Sequence, residues 1–275
     1  MVPHAINDWD DAYANAPNIP QGDSWPGRWE TVAAEFRKTG VAGGRMETDI
    51  RYGSGPRNVY DLFHPAGKSR GLVVFVHGGF WLRLSASIFS HLAAGPVANG
   101  WTVAMPTYTL CPQAQVSGIV EEIAAAITEA AGQIDGPIRL AGHSAGGQLV
   151  TRMICEDTPL DRKLARRIEC TMSISGLHDL RPLLKVAMNK TIGLDEKEAA
   201  AQSPALCRPI AGSKVICWAG AGERSEFIRQ NALLANIWKG VDADTVEYLE
   251  PDRHHFNIVD SLADANSPMT RALLE

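Results

Sequence analysis

The stretch of this chain best suited to do chemistry is a serine set between glycines, Gly142-His143-Ser144-Ala145-Gly146. It lies between an apolar run, Ile138-Arg139-Leu140-Ala141, and a second run, Gly147-Gln148-Leu149-Val150, so the local reading is strand, sharp turn, helix. Small neighbours tolerate a strained backbone at such a turn, and the serine hydroxyl then stands clear above the sheet as a nucleophile. The helix that begins there adds free backbone N–H groups and the positive end of its dipole. A glycine-rich turn with a serine helix cap could carry the same five residues, so the decision rests on what the rest of the chain supplies.

A serine that attacks a carbonyl needs donors for the oxyanion, a base, and an acid to orient the base. His77-Gly78-Gly79-Phe80-Trp81 follows the apolar run Leu72-Val73-Val74-Phe75-Val76, and its glycines allow the backbone to approach a ligand with N–H groups turned inward. The expected donors are the amides of Gly79 and Phe80, with Gly78 as a further candidate, together with Ala145. Two histidines stand in the loop after the last predicted strand, and His255 is favoured as base because Phe256-Asn257-Ile258-Val259 begins a helix behind it. His254 then reads as a structural or rim residue. The acid is expected between serine and histidine in chain order, and Glu223, after the turn Ala219-Gly220-Ala221-Gly222, is the candidate, with Glu226 and Asp252 as rivals. Phe80 and Trp81 are expected to present rings to the substrate, unless Trp81 is core beneath the loop. His143 reads as a packing residue that can also wall the pocket. His64, His91 and His178 read as packing or surface residues, and no spacing typical of metal ligands appears.

These residues need a scaffold. Met46 to Tyr52 and Val59 to His64 alternate in polarity about Gly53-Ser54-Gly55-Pro56, which predicts a hairpin at an antiparallel edge. Continuous apolar strands follow at Leu72–Val76, Thr102–Met105, Ile138–Ala141, Thr171–Ile174, Val215–Trp218 and Thr245–Leu249, and such runs are expected to be buried on both faces. Helical spacing recurs from Ile119 to Ile134 and from Phe227 to Trp238. Strands alternating with helices after an opening hairpin give an α/β fold with a mostly parallel sheet, whose site forms at the carboxyl ends of the strands. No linker divides the chain, so one domain is expected, with residues 1–45 as an N-terminal arm and residues 180–206 as a small helical insertion over the site. Within the arm, Asp10 to Arg37 reads as irregular, with Trp25 and Trp29 either stapling it to the body or walling a pocket.

With 275 residues, 45% of them hydrophobic and 21% charged, the chain can bury a large core. A formal net charge of −5 provides no basic face for a phosphate backbone. The five cysteines, at 111, 155, 170, 207 and 217, are odd in number and contain no C-x-x-C pair, which points to reduced thiols rather than to a disulfide framework or a zinc site. The residues Met1 to Asp10 lack the pattern of a signal peptide, and no apolar run approaches membrane-spanning length. The expectation is a cytoplasmic protein without metal or cofactor. Its partners would be a small-molecule substrate and at most a second copy of itself, with neither nucleic acid nor membrane.

Taken together, His77-Gly78-Gly79-Phe80-Trp81, Gly142-His143-Ser144-Ala145-Gly146, His255-Phe256-Asn257-Ile258-Val259 and the arm segment Asp11-Ala12-Tyr13-Ala14-Asn15 resemble the α/β-hydrolase esterases with an HGG-[FY]-W oxyanion loop, the group that includes kynurenine formamidase. The resemblance covers most of the chain. It implies an eight-stranded sheet, a serine hydrolase mechanism without cofactor, and small acyl or formyl substrates, often aryl amides or esters. This chain departs from the group in having Glu223 where Asp is common and Phe80 where Tyr is common. Hydrolysis of an aryl formamide is the first expectation, a general short-acyl carboxylesterase the second. A ligand-binding module with a vestigial triad is the reading from another class, opposed here by the intact serine, histidine and oxyanion glycines.

Overall fold

Strand β3 (Leu72–Val76) has no residue suited to water, and every one of its side chains is buried. Leu72, Val74 and Val76 enter one apolar core and Val73 and Phe75 another, so the two-residue period divides the strand between the faces of a sheet covered on both sides. The computed structural model describes residues 6–275, with backbone alone for Val41; the first five residues of the segment read for a signal peptide lie outside them.

The sheet has eight strands in the order β1-β2-β4-β3-β5-β6-β7-β8. They are β1 (Met46–Arg51), β2 (Val59–Phe63), β3, β4 (Thr102–Pro106), β5 (Ile138–His143), β6 (Ile168–Ile174), β7 (Lys214–Gly220) and β8 (Asp244–Glu250). The β1–β2 and β2–β4 pairs are antiparallel, and all others are parallel. From β3 the chain runs outward to β4, then returns to β5 on the other side of β3. The carboxyl ends of β3 and β5, aligned by the pairing of Val76 with Gly142, therefore flank the point where the winding reverses. That is where a crevice opens in sheets of this kind.

The helices are α1 (Trp9–Tyr13), α2 (Trp25–Ala42), α3 (Ala94–Ala98), α4 (Val116–Gln133), α5 (Ala145–Arg152), α6 (Arg162–Ala165), α7 (Asn189–Ile192), α8 (Glu196–Ala201), α9 (Ser225–Lys239) and α10 (Pro268–Leu274). Helices α4 and α5 bury Ile119, Ile123, Ile127, Leu149 and Val150 against one face, and α2 and α10 bury Trp29 and Leu273 against the other. Among the described residues no helix is long and apolar enough to cross a membrane.

The structure corrects the sequence reading in three places. The arm is not irregular: α2 runs 18 residues from Trp25, with Pro26 in its first turn where a missing N–H costs nothing. Strand β8 is not buried on both faces, because it is the last strand of the sheet; Val246 and Tyr248 are 43% and 40% exposed. Residues 180–206 do fold as short helical pieces, including α7 and α8, yet none of them lines the cavity beside Ser144. The arm covers that cavity instead.

Candidate active site

Ser144 sits between β5 and α5 with φ 55° and ψ −117°, a backbone conformation that side chains other than glycine adopt at a cost of about 1–3 kcal/mol. Its amide donates to the Ile174 carbonyl at 2.8 Å, tying the strained turn to the end of β6. The turn is possible only because its flanks are bare: a Cβ on Gly142 would lie 2.1 Å from the Gly146 carbonyl oxygen, and one on Gly146 would lie 2.0 Å from that of Val76. The Ser144 hydroxyl donates to no acceptor among the described residues, and it lines the same cavity as His255.

Behind His255 the hydrogen-bond chain is complete. Its Nδ1 lies 2.7 Å from Glu223 Oε2, and both side chains are shielded from solvent. A carboxylate can only accept, so Nδ1 carries the proton and the Nε2 lone pair is free. The other carboxylate oxygen, Oε1, accepts from the Gly220 amide at 2.8 Å and from the Ser175 hydroxyl. The loops that carry acid and base are joined to one another, since the Ala221 and Gly222 amides donate to the Glu250 and Arg253 carbonyls at 2.8 and 2.9 Å. The Phe227 ring packs on His255 at 4.2 Å between centroids, and His143 Nε2 donates to the His255 carbonyl at 2.9 Å. Burial holds His143 well below the ordinary histidine range, so it stays neutral beside the second imidazole.

The loop after β3 bends through three successive left-handed residues, Gly79 (φ 111°), Phe80 (φ 53°) and Trp81 (φ 59°). His77 underpins it: wholly buried, it is stacked on Tyr108 at 4.4 Å, its Nδ1 donates to the Gly78 carbonyl at 2.7 Å, and burial lowers its pKa to about 4. Gly78 packs so closely that a Cβ there would come within 2.9 Å of Ser144 Cβ. Among the described residues, the amides of Gly78, Gly79, Phe80 and Ala145 donate to no acceptor. Gly79 and Phe80 line the cavity beside Ser144, and free donors there are what an oxyanion requires.

The cavity holds about 140 Å³. Ser144, His143, His255, Gly79 and Phe80 form its floor, and Trp29 and Asn15 of the arm help to close it. Of the other expected site residues, Glu223 bonds His255, and Gly78 and Ala145 flank Ser144 without lining the cavity. Trp81 does not reach the cavity: its left-handed backbone turns the ring beneath the loop, where it is fully buried and its Nε1 donates to Gln148 Oε1 at 3.2 Å. Of the rival acids, Glu226 is engaged by Tyr13, Arg229 and Gln230, and Asp252 is exposed. His254 packs edge-on against Trp25 at the rim, and its Nδ1 accepts from the amides of Phe256 and Asn257.

Sequence reasoning missed two residues. Ser175 holds Glu223 in place, and its only sequence signal is its position just past a strand's carboxyl end. Asn15 is 6% exposed and lines the cavity with its Oδ1 unpartnered, and nothing local to its sequence announces that.

Comparison with known proteins agrees with this architecture. Residues 73–208 match a family model described as the alpha/beta hydrolase fold. A crystal structure from Silicibacter sp., described as that of a candidate thioesterase, is 42% identical over 98% of this chain and 99% of its own, with a TM-score of 0.92. The kynurenine formamidase of Danio rerio is 27% identical over 240 residues, 82% of this chain and 80% of that protein. Esterase B of Lactobacillus rhamnosis shares the fold at a TM-score of 0.65, covering 88% of this chain and 90% of its own at 17% identity. The chain belongs to the α/β-hydrolase family.

Proposed function

We propose that the protein is a serine hydrolase that cleaves a small amide or ester through an acyl-enzyme, with an N-formylkynurenine-like aryl formamide as its first substrate. The observation that carries this reading is His255, held by the desolvated Glu223 carboxylate and lining the same cavity as Ser144, Gly79 and Phe80.

In this mechanism His255 Nε2 takes the Ser144 proton as Oγ attacks the carbonyl carbon, and Glu223 stabilises the imidazolium through Nδ1–H. The oxyanion is held by the amides of Gly79, Phe80 and Ala145, and losing one such donor costs about 3–4 kcal/mol of barrier. His255 then protonates the leaving amine or alcohol, and water attacks the acyl-serine by the same proton path. A cavity of about 140 Å³ with Phe80 and Trp29 in its walls suits a formyl or short acyl group beside a flat ring. The Danio rerio formamidase supports the amide reading. The Silicibacter relative favours a second reading within the same chemistry, an activated short-chain acyl ester as substrate.

The test is a panel of formanilides, nitrophenyl esters and acyl thioesters on the purified chain, with Ser144→Ala as control. A fluorophosphonate should label Ser144 and no other residue. Full activity in Ser144→Ala, or an adduct elsewhere, refutes the mechanism; a ranking led by thioesters moves the substrate and leaves the mechanism standing.

A further inference from the structure

At the far end of α5 from Ser144, a group of polar side chains lies outside the proposed reaction. Arg152 closes the helix and is 3% exposed although charged. Its Nη1 and Nη2 donate to the two Asp157 carboxylate oxygens at 2.7 and 3.0 Å, and its Nε donates to Gln202 at 3.1 Å. Nη1 also lies 3.3 Å from Cys207 Sγ. Cys155 is fully buried one turn beyond Arg152, and its thiol donates to the Thr151 carbonyl at 3.4 Å. The two sulfurs and an Asp157 oxygen lie within 4.8 Å of one another. The backbones that carry them are zipped together, Glu156 N to Arg208 O at 2.9 Å and Ile210 N to Ile154 O at 2.8 Å, so the thiols keep their register.

We propose that Cys207 and Cys155 form an oxidant-sensitive dithiol site, in which Cys207 is the attacking sulfur and Cys155 the resolving one. Cys207 is the more accessible of the two and faces a guanidinium held rigid by its other partners. The neighbouring Cys155 thiol and the charge of Arg152 bring the Cys207 thiol, which lies 3.3 Å from the Ser203 carbonyl, below its ordinary range despite partial burial, while burial pushes Cys155 well above. A thiol that gives up its proton more readily, beside one that keeps it, is the pairing that peroxide chemistry needs. A metal ion at the same three ligands would instead meet the positive charge of Arg152.

The co-reactant is a hydroperoxide. The Cys207 thiolate attacks one peroxide oxygen: an S–O bond forms, the O–O bond breaks, and hydroxide leaves and is protonated to water. The sulfur is oxidised by two electrons to sulfenic acid as the peroxide is reduced. Cys155 sulfur then attacks Cys207 sulfur, the S–S bond forms, the S–O bond breaks, and the departing hydroxide leaves with the Cys155 proton as water.

The experiment treats the full-length chain with one equivalent of hydrogen peroxide, blocks free thiols and maps peptides without reduction. The expected product links Cys155 to Cys207 and is two hydrogens lighter, with Cys111, Cys170 and Cys217 still alkylated. In Cys155→Ser the reaction should stop at a Cys207 sulfenic acid that dimedone traps, and in Cys207→Ser the Cys155 thiol should stay reduced. Iodoacetamide at pH 7 should label Cys207 more than about tenfold faster than Cys111, whose thiol burial raises to about 11. The proposal is overturned if no linked peptide forms in the unaltered chain, if Cys155 oxidises without Cys207, or if Cys207 is labelled no faster than Cys111.

Discussion

Replacing Glu223 by glutamine tests the candidate site at one pair of atoms, and the structure decides which way the amide must face. Glu223 Oε1 receives the Gly220 amide at 2.8 Å and the Ser175 hydroxyl, whereas Oε2 receives the Nδ1 proton of His255 at 2.7 Å. A hydroxyl can rotate, but a backbone N–H cannot, so the glutamine oxygen has to occupy the Oε1 position. Its NH₂ then points at Nδ1, which must become an acceptor, and the ring proton shifts to Nε2. The lone pair that would take the Ser144 proton is lost, and with it the negative charge that steadies the imidazolium. The corresponding Asp-to-Asn change in serine proteases lowers kcat by about 10⁴, or about 5.5 kcal/mol, and an effect of that order is expected here. The assay is kcat on a nitrophenyl ester or formanilide with an unchanged melting temperature as control, and ¹⁵N NMR of His255 reads the tautomer directly. Ser175→Ala should be mild, since Gly220 alone still orients the carboxylate. Glu223→Asp should lose part of the activity through reach. The reasoning is refuted if Glu223→Gln keeps kcat within about tenfold of the parent, or if Asp252→Asn is the substitution that abolishes it.

Three further outcomes follow from the same structure. His77, His91 and His178 are buried with pKa values lowered by burial to about 4 from an ordinary 6.5, so the folded state binds fewer protons than the unfolded chain; stability is in place above pH 6.5 and falls toward pH 4. At pH 5 each ring costs about 2 kcal/mol, and Asp260, pushed up to about 6 by burial, returns about 1 kcal/mol, so these groups alone take away about 5 kcal/mol between pH 7.5 and pH 5, the buried His143 adds to the loss, and urea unfolding should show it; equal midpoints would contradict the burial. Trp81→Leu should lower stability by about 3 kcal/mol, through lost packing and an unpaired Gln148, and leave the ranking of substrates unchanged, whereas a changed ranking at constant melting temperature would place the ring in the pocket after all. Asn15→Ala removes a buried amide whose Oδ1 has no partner, so the melting temperature should hold or rise while KM rises for an amide substrate, and a loss of stability without a kinetic effect would make the side chain merely structural.

The parts of this fold that were legible in the sequence are those whose information is local. Leu72–Val76 reads as a strand because it is buried on both faces, and Gly142 to Gly146 reads as a strained turn because only bare flanks allow it. Glu223 and His255 can be paired in the sequence because chain order and turn chemistry place them after β7 and β8, and the structure puts them 2.7 Å apart. What was not legible depends on partners distant in the chain. Helix α2 has a weakly divided surface, and its first turn, Trp25-Pro26-Gly27, reads as a loop until Trp25 and Trp29 are seen against His254 and Phe256. The Trp81 ring has two environments open to it in the sequence, pocket and core, and in the structure it lies in the core, bonded to Gln148. The same contrast separates the two properties of the site. The groups proposed to react stand beyond strand ends of one sheet, fixed by register and by strained turns, so their geometry is rigid. The wall facing them comes from the arm, anchored by Tyr13 to Glu226 at 2.8 Å and by Arg224 to Asp11. The arm carries Asn15 and Trp29 but none of the reacting atoms, so exchanging it between relatives should change which acyl group enters while leaving the attack by Ser144 intact.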